Sequence, residues 1–155
     1  MIRLKRDDVI QIIKAFCMED WFYTGSYAFG CMHELSDVDI VVPIWAIQGI
    51  REGIEALGGE IKTSNYFSGI FVDVIEAQLN IIPLHPVAFM SWAYATEFMT
   101  RYVKSSEDLT IAVDRNLRHG VFEILVGASH LVVGGVGARE LHGRFKAFND
   151  SRKGR

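Results

Sequence analysis

Residues 25–39 read Gly25-Ser26-Tyr27-Ala28-Phe29-Gly30-Cys31-Met32-His33-Glu34-Leu35-Ser36-Asp37-Val38-Asp39, and the architecture turns on them. Trp21-Phe22-Tyr23-Thr24 precedes them, a short aromatic and β-branched run that reads as a strand. Gly25-Ser26 stops that strand. Tyr27 to His33 follows as an expected short helix with Ser26 near its N-terminus. Val38 to Val42 then reads as a buried strand that Pro43 ends.

Side chains on a strand repeat with period two, so Asp37 and Asp39 point to one side while Val38 and Ile40 point into the core. Two carboxylates side by side repel and raise each other's pKa. In a half-apolar strand that costs stability unless a cation sits between them. Hard divalent ions with oxygen ligands, Mg²⁺ or Mn²⁺, suit such a pair. Two such ions about 4 Å apart can clamp the attacking and leaving oxygens of an in-line displacement at phosphorus. Gly25 lets a phosphate approach the backbone closely. Free N–H groups at the start of the next helix attract an anion, and Ser26 adds a hydroxyl donor. The combination reads as a triphosphate cradle beside a metal site.

Outward from this segment, the pattern predicts a first helix from Asp7 to Phe16, with Val9, Ile10, Ile13 and Phe16 on one stripe and Asp7 or Asp8 as cap. Ile44 to Leu57 is helical by pattern, with Ile47, Ile50, Ile54 and Leu57 aligned and Gly58-Gly59 as terminator. Glu60 to Ser64 reads as a short strand and Asn65 to Gly69 as a loop. Phe71 to Ile75 and Gln78 to Ile82 form an expected hairpin around Glu76-Ala77, ended by Pro83 and Pro86. Two helices are expected after that, Val87 to Val103 and Leu109 to Val133. In the second, Leu117, Val121, Ile124, Leu125, Ala128 and Leu131 are the expected buried face. The order of elements describes an α/β or α+β sandwich with a helical C-terminal part. The expected divisions are a core over 1–86, a helical extension over 87–143 and a basic tail over 144–155.

The 155 residues are one domain's worth. Apolar residues make up 50% and charged residues 23%, which excludes bulk disorder. The net charge of -3 disfavours a generally basic nucleic-acid binder. Cys17 and Cys31 make neither a disulfide framework nor a zinc site. The opening MIRLKRDD turns acidic before any apolar run, so no signal peptide is expected. The apolar stretch Val121 to Val136 is interrupted by Glu123, His130 and three glycines, which argues against a bilayer span. A cytoplasmic protein without membrane attachment is the expectation.

Gly25-Ser26, ten residues, then Asp37-Val38-Asp39 resembles the signature of the nucleotidyltransferase superfamily with the polymerase-beta-like fold, in particular its minimal nucleotidyltransferases. The resemblance covers Trp21 to Pro83. It implies a small mixed sheet with flanking helices, and transfer of an NMP group from an NTP, ATP being the expected one, to an acceptor hydroxyl with release of pyrophosphate. By position it implies that Gly25 and Ser26 hold the β- and γ-phosphates and that Asp37 and Asp39 bind Mg²⁺ or Mn²⁺. The acceptor stays open: an RNA end, a protein hydroxyl or a small molecule. A homo-oligomer or a partner protein that completes the acceptor site also stays open.

The family usually carries a third carboxylate on a later strand. The matching strand here, Gln78 to Pro83, offers Asn80, which can ligate through its carbonyl oxygen but cannot take a proton. A two-residue hairpin loop at Glu76-Ala77 would set Asp73 opposite Asn80 and supply the missing carboxylate. Failing that, the resemblance also allows a catalytically weak or inactive nucleotide-binding module, antitoxin-like and acting on a partner protein.

Other signals read more plainly. Asp114 with Arg118, and His119 with Glu123, are spaced for salt bridges on a helix. Arg115 or Arg118 reaching phosphates is the functional alternative. His85 and His33 read as turn or surface residues, and Tyr66 and Phe67 as a loop pair on which a base could stack. Phe89, Trp92, Ala93, Phe98 and Met99 read as helical core. Gly134-Gly135-Val136-Gly137 lacks the Lys-Ser/Thr of a phosphate loop and reads as a joint.

Overall fold

A computed structural model describes residues 3–31, 37–63, 69–107 and 109–133. The chain opens with helix α1 (Arg6–Cys17), whose start is capped by Asp8: its Oδ2 accepts the Lys5 N–H at 2.9 Å. Strand β1 (Phe22–Thr24) runs into the short helix α2 (Gly25–Phe29). Strand β2 (Val38–Pro43) leads through a 3₁₀ turn (Ile44–Ala46) to helix α3 (Ile47–Ala56). Strands β3 (Ile61–Thr63), β4 (Ile70–Asp73) and β5 (Gln78–Leu84) follow, then helices α4 (Pro86–Ser105), α5 (Thr110–Val113) and α6 (Arg115–Val133).

The five strands make one mixed sheet in the order β1-β2-β5-β4-β3, with β2 and β5 parallel and the other neighbours antiparallel. Central β2 and β5 are apolar almost throughout, because helices cover both faces there. One face carries Val38, Ile40, Val42, Leu79 and Ile81 against Ile10 and Ile13 of α1 and Ile50 and Ile54 of α3. The other carries Phe22, Val41 and Ile82 against Phe89 and Met90 of α4 and Phe122 of α6. The second face is covered by helices only toward the Val41–Ile82 end. At the Asp39–Asn80 end it opens into the cleft described below.

The expected mixed sheet with flanking helices and a helical C-terminal part is what the chain builds, and five details correct the sequence reading. The helix expected from Tyr27 begins at Gly25, and Gly30 ends its described part in the left-handed region with φ 78°. The β4–β5 turn is centred one residue earlier than expected: Val74 N–H donates to the Ala77 carbonyl at 2.9 Å, so Ile75-Glu76 make the loop, Asp73 opposes Gln78, and Phe71 opposes Asn80. The N-terminal arm lies against this turn: Leu4 forms a parallel bridge with Val74 and accepts the Ile75 N–H at 2.9 Å, while Glu76 Oε1 accepts the Arg6 N–H at 2.9 Å at the start of α1.

The long last helix expected from Leu109 is broken at Asp114, whose Oδ1 accepts the Leu117 N–H at 3.0 Å and caps α6. The buried residues of α6 are Arg118, Phe122, Ser129 and Val133; of the expected face Val121 and Leu125 pack partly buried against this core, while Ile124 is 72% and Leu131 85% exposed. Phe98, expected in the core of α4, and Phe16 and Leu57, expected on the inner stripes of α1 and α3, are exposed as well; Cys17 takes the inward place on α1. Among the described residues no helix is long and apolar enough to cross a membrane. His33, Tyr66, Phe67, the glycines at 134–137 and the tail lie outside the described residues.

Truncating Ile40, fully enclosed at the centre of β2, removes packing on the α1–α3 face. Ile40→Ala is expected to lower the unfolding free energy by about 2–5 kcal/mol. Ile124→Ala on the open side of α6 should change it by less than about 0.5 kcal/mol. Urea denaturation of the two variants checks the contrast.

Candidate active site

Thr24, Asp39 and Asn80 lie in register across β1, β2 and β5, so their side chains share one face of the sheet. Asp37 stands just before β2, two residues from Asp39 and on the same side. These residues wall one side of a cleft of about 320 Å³. Gly25, Ser26 and Phe29 of α2 close a second side. Arg115, Arg118, His119 and Phe122 of α6 form a third, with Trp92 of α4 and Ile82 completing the apolar floor.

Asp39 is the most constrained group in the cleft. Its Oδ1 accepts a hydrogen bond from Asn80 Nδ2 at 3.2 Å. Its Oδ2 lies so close to Gly25 that a Cβ at that position would collide with it. Gly25 also has φ +67°, a conformation that favours glycine. Position 25 thus excludes a side chain twice over. Burial pushes the Asp39 carboxyl up to about 6; the Asn80 hydrogen bond and the Arg115 charge oppose that rise, and the Asp37 charge adds to it. Asp37 is also held above its ordinary value, first by partial enclosure and then by the charge of Asp73, with Arg115 acting the other way.

Asn80 leaves its own Oδ1 buried with no hydrogen-bond partner among the described residues. Thr24 and Thr96 hydroxyls are 2.8 Å apart, and Thr96 donates to the Trp92 carbonyl at 2.7 Å, so Thr24 is the donor between them. This chain of bonds ties β1 to α4 directly beneath Gly25.

On α6, Arg118 is only 7% exposed and donates through Nη1 to the carbonyls of Ala112 at 2.6 Å and Ile111 at 3.4 Å. The expected Asp114–Arg118 salt bridge is therefore replaced by a guanidinium that satisfies α5. His119 does pair with Glu123, at 3.1 Å. Arg115 is exposed at the first position of α6 and makes no ion pair or hydrogen bond among the described residues.

The structure brings together five of the six residues singled out from the sequence: Gly25, Ser26, Asp37, Asp39 and Asn80 all line the cleft. Asp73 is outside that lining. It faces Gln78, whose Nε2 donates to it at 3.0 Å, and sits 3.6 Å from Lys62 Nζ. The expected Asp73–Asn80 pairing is thus corrected by two residues of register. His85 precedes α4, five residues along β5 from Asn80 and about 16 Å away at strand rise. Sequence reasoning took Trp92 as core only and did not single out Thr24 or Phe122. Thr24, buried beside a glycine at a strand end, was the one available signal.

The sequence matches no protein-family model and no curated protein sequence. It is similar to solved structures of polymerase-beta-like nucleotidyltransferases. One is Cid1, described by its RNA terminal uridylyl transferase activity: 18% identity over 64% of this chain and 32% of that chain, TM-score 0.49. Another is the antibiotic-resistance factor ANT(2'')-Ia: 14% identity over 95% of this chain and 96% of that chain, TM-score 0.39. A third is terminal uridylyl transferase 4 from Trypanosoma brucei with bound GTP: 15% identity, 66% and 37% coverage, TM-score 0.39. The chain spans about a third of the length of the two uridylyl transferases.

The raised Asp39 carboxyl has a consequence for stability. Its folded pKa of about 6 exceeds its ordinary 3.8, so the fold favours the protonated form. Stability from this group is full below pH 3.8 and is lost as the pH rises through 6, a loss of roughly 3 kcal/mol. Asp39→Asn keeps the acceptor for Asn80 without the charge. It is expected to be more stable than the parent by about 2–3 kcal/mol at pH 8, with the gain shrinking toward zero near pH 4. Urea midpoints at the two pH values measure this.

Proposed function

We propose that this protein is a divalent-metal-dependent nucleotidyltransferase that moves an NMP group from an NTP to an acceptor hydroxyl and releases pyrophosphate. One observation carries the reading: Asp39 of β2 sets its carboxylate against the bare backbone of the strand-ending Gly25, and Asp37 and Ser26 line the same cleft. ATP is the expected donor, and the acceptor is an RNA end, a protein hydroxyl or a small molecule.

The donor set fits a hard cation. Asp37 and Asp39 offer carboxylate oxygens, and a Cβ at Gly25 would fill the space against Asp39 Oδ2. Asp37 and Asp39 would hold Mg²⁺ or Mn²⁺; the bound ion would neutralise phosphate oxygens and draw electrons from the α-phosphorus. The protein's own groups do the positioning. The Gly25 and Ser26 N–H groups and the Ser26 hydroxyl are donors for the β- and γ-phosphates. The described part of α2 is only five residues long, so these local donors matter more than any helix dipole. Arg115, exposed on the opposite wall, offers positive charge to the departing pyrophosphate. Phe29, Trp92 and Phe122 present ring surface that keeps water from the floor of the cleft. Asn80 cannot accept the proton of the attacking hydroxyl; it holds Asp39 in place instead. Catalysis is then positioning and charge compensation.

Asp39→Ala is expected to cut transfer of label from α-³²P-labelled NTPs by at least roughly 10²–10³-fold. Circular dichroism and the urea transition of the variant should remain those of a folded chain. A variant that keeps the full rate would refute the mechanism. A parent chain that transfers label to no component of a cell extract would favour the inactive, antitoxin-like module.

A further inference from the structure

One oxygen of Asp39 is already committed, and this limits how many cations the cleft can hold. Oδ1 accepts the Asn80 amide at 3.2 Å. Oδ2 stands over Gly25, on the side where the backbone leaves room. An amide that donates through Nδ2 turns its carbonyl oxygen away from the acceptor, because the two atoms sit on opposite arms of one planar group. Asn80 Oδ1 is buried and unpartnered accordingly. A cation shared by Asp39 Oδ1 and Asn80 would have to break that hydrogen bond and turn the amide over to present its Oδ1. The open lane is therefore Asp39 Oδ2 with Asp37, beside Gly25 and Ser26.

The positive field of Arg115 reaches both carboxylates. Among the described residues no group of three or more His, Cys, Asp or Glu side chains gathers around a point. Asp73 is engaged by Lys62 and Gln78. Two side-chain ligands leave most of the shell of Mg²⁺ or Mn²⁺ to be filled, and phosphate oxygens are the ligands the cleft would bring.

We infer that the cleft takes one divalent cation per chain, and takes it together with a nucleoside triphosphate, because Asn80 closes the far side of Asp39. This rests on the nucleotide-binding reading above. Asn80 is then a positioning residue: it sets metal stoichiometry by holding Asp39 Oδ1.

The test counts bound Mn²⁺ per chain, by equilibrium dialysis and electron paramagnetic resonance, with α,β-methylene analogues of ATP, GTP, CTP and UTP. The parent chain should retain no Mn²⁺ alone and one Mn²⁺ per bound analogue. Asn80→Asp, which replaces the donor by a carboxylate, should retain two, with the spectral broadening of a coupled pair. Two ions on the parent chain would overturn the inference, as would an analogue bound with none. So would an Asn80→Asp chain that is folded by circular dichroism yet still binds one. If no analogue binds at all, the nucleotide reading fails with it; if an analogue binds with the wrong count, only this inference fails.

Discussion

The contact of Asp39 with the glycine at the end of β1 is the constraint on which the site depends. It places a mostly buried carboxylate against bare backbone and holds it there with one amide hydrogen bond. No side chain fits at position 25, and the carboxylate is kept above its ordinary pKa by enclosure. Enclosing a carboxylate in this way costs stability where it is ionised.

The sheet makes this possible because its two faces have different duties. The α1–α3 face is packed with Ile and Val from every strand except β1 and supplies cohesion. The opposite face is covered only in part, by α4 and α6. Where that cover stops, the polar row Thr24, Asp39 and Asn80 is left facing a cleft. The same α4 that supplies core also supplies Trp92 to the floor, and its Thr96 reaches Thr24. Packing and site geometry are therefore one object, held across β1, β2, β5, α4 and α6.

The α6 helix shows where pattern reading loses its grip. Its sequence is apolar on several sides, and the side that packs is chosen by the partners it meets. Arg118 is turned inward because the carbonyls of Ile111 and Ala112 need donors where the chain breaks at Asp114. That choice leaves Ile124 and Leu131 in solvent. It also carries Arg115 and His119 to the cleft, where helical spacing alone offers His119 a surface salt bridge and Arg115 a phosphate contact only as the alternative.

The sequence by itself determined the strand–helix–strand start, the pairing of Asp37 with Asp39, and their partnership with Gly25 and Ser26. Each of those depends on residues close in the chain: period-two alternation, a glycine where a strand must turn, and acids at a strand's edge. It also showed that Asn80 is an amide where the resemblance calls for an acid. What only the tertiary structure decided was the register that sets Asp73 against Gln78, the face α6 buries, and the fate of each Asp39 oxygen. Those turn on contacts between segments far apart in the chain, such as Leu4 with Val74, Glu76 with the start of α1, and Asn80 with Asp39. A shift of two residues along a ladder leaves every side chain on its own face, so local pattern cannot tell the two registers apart.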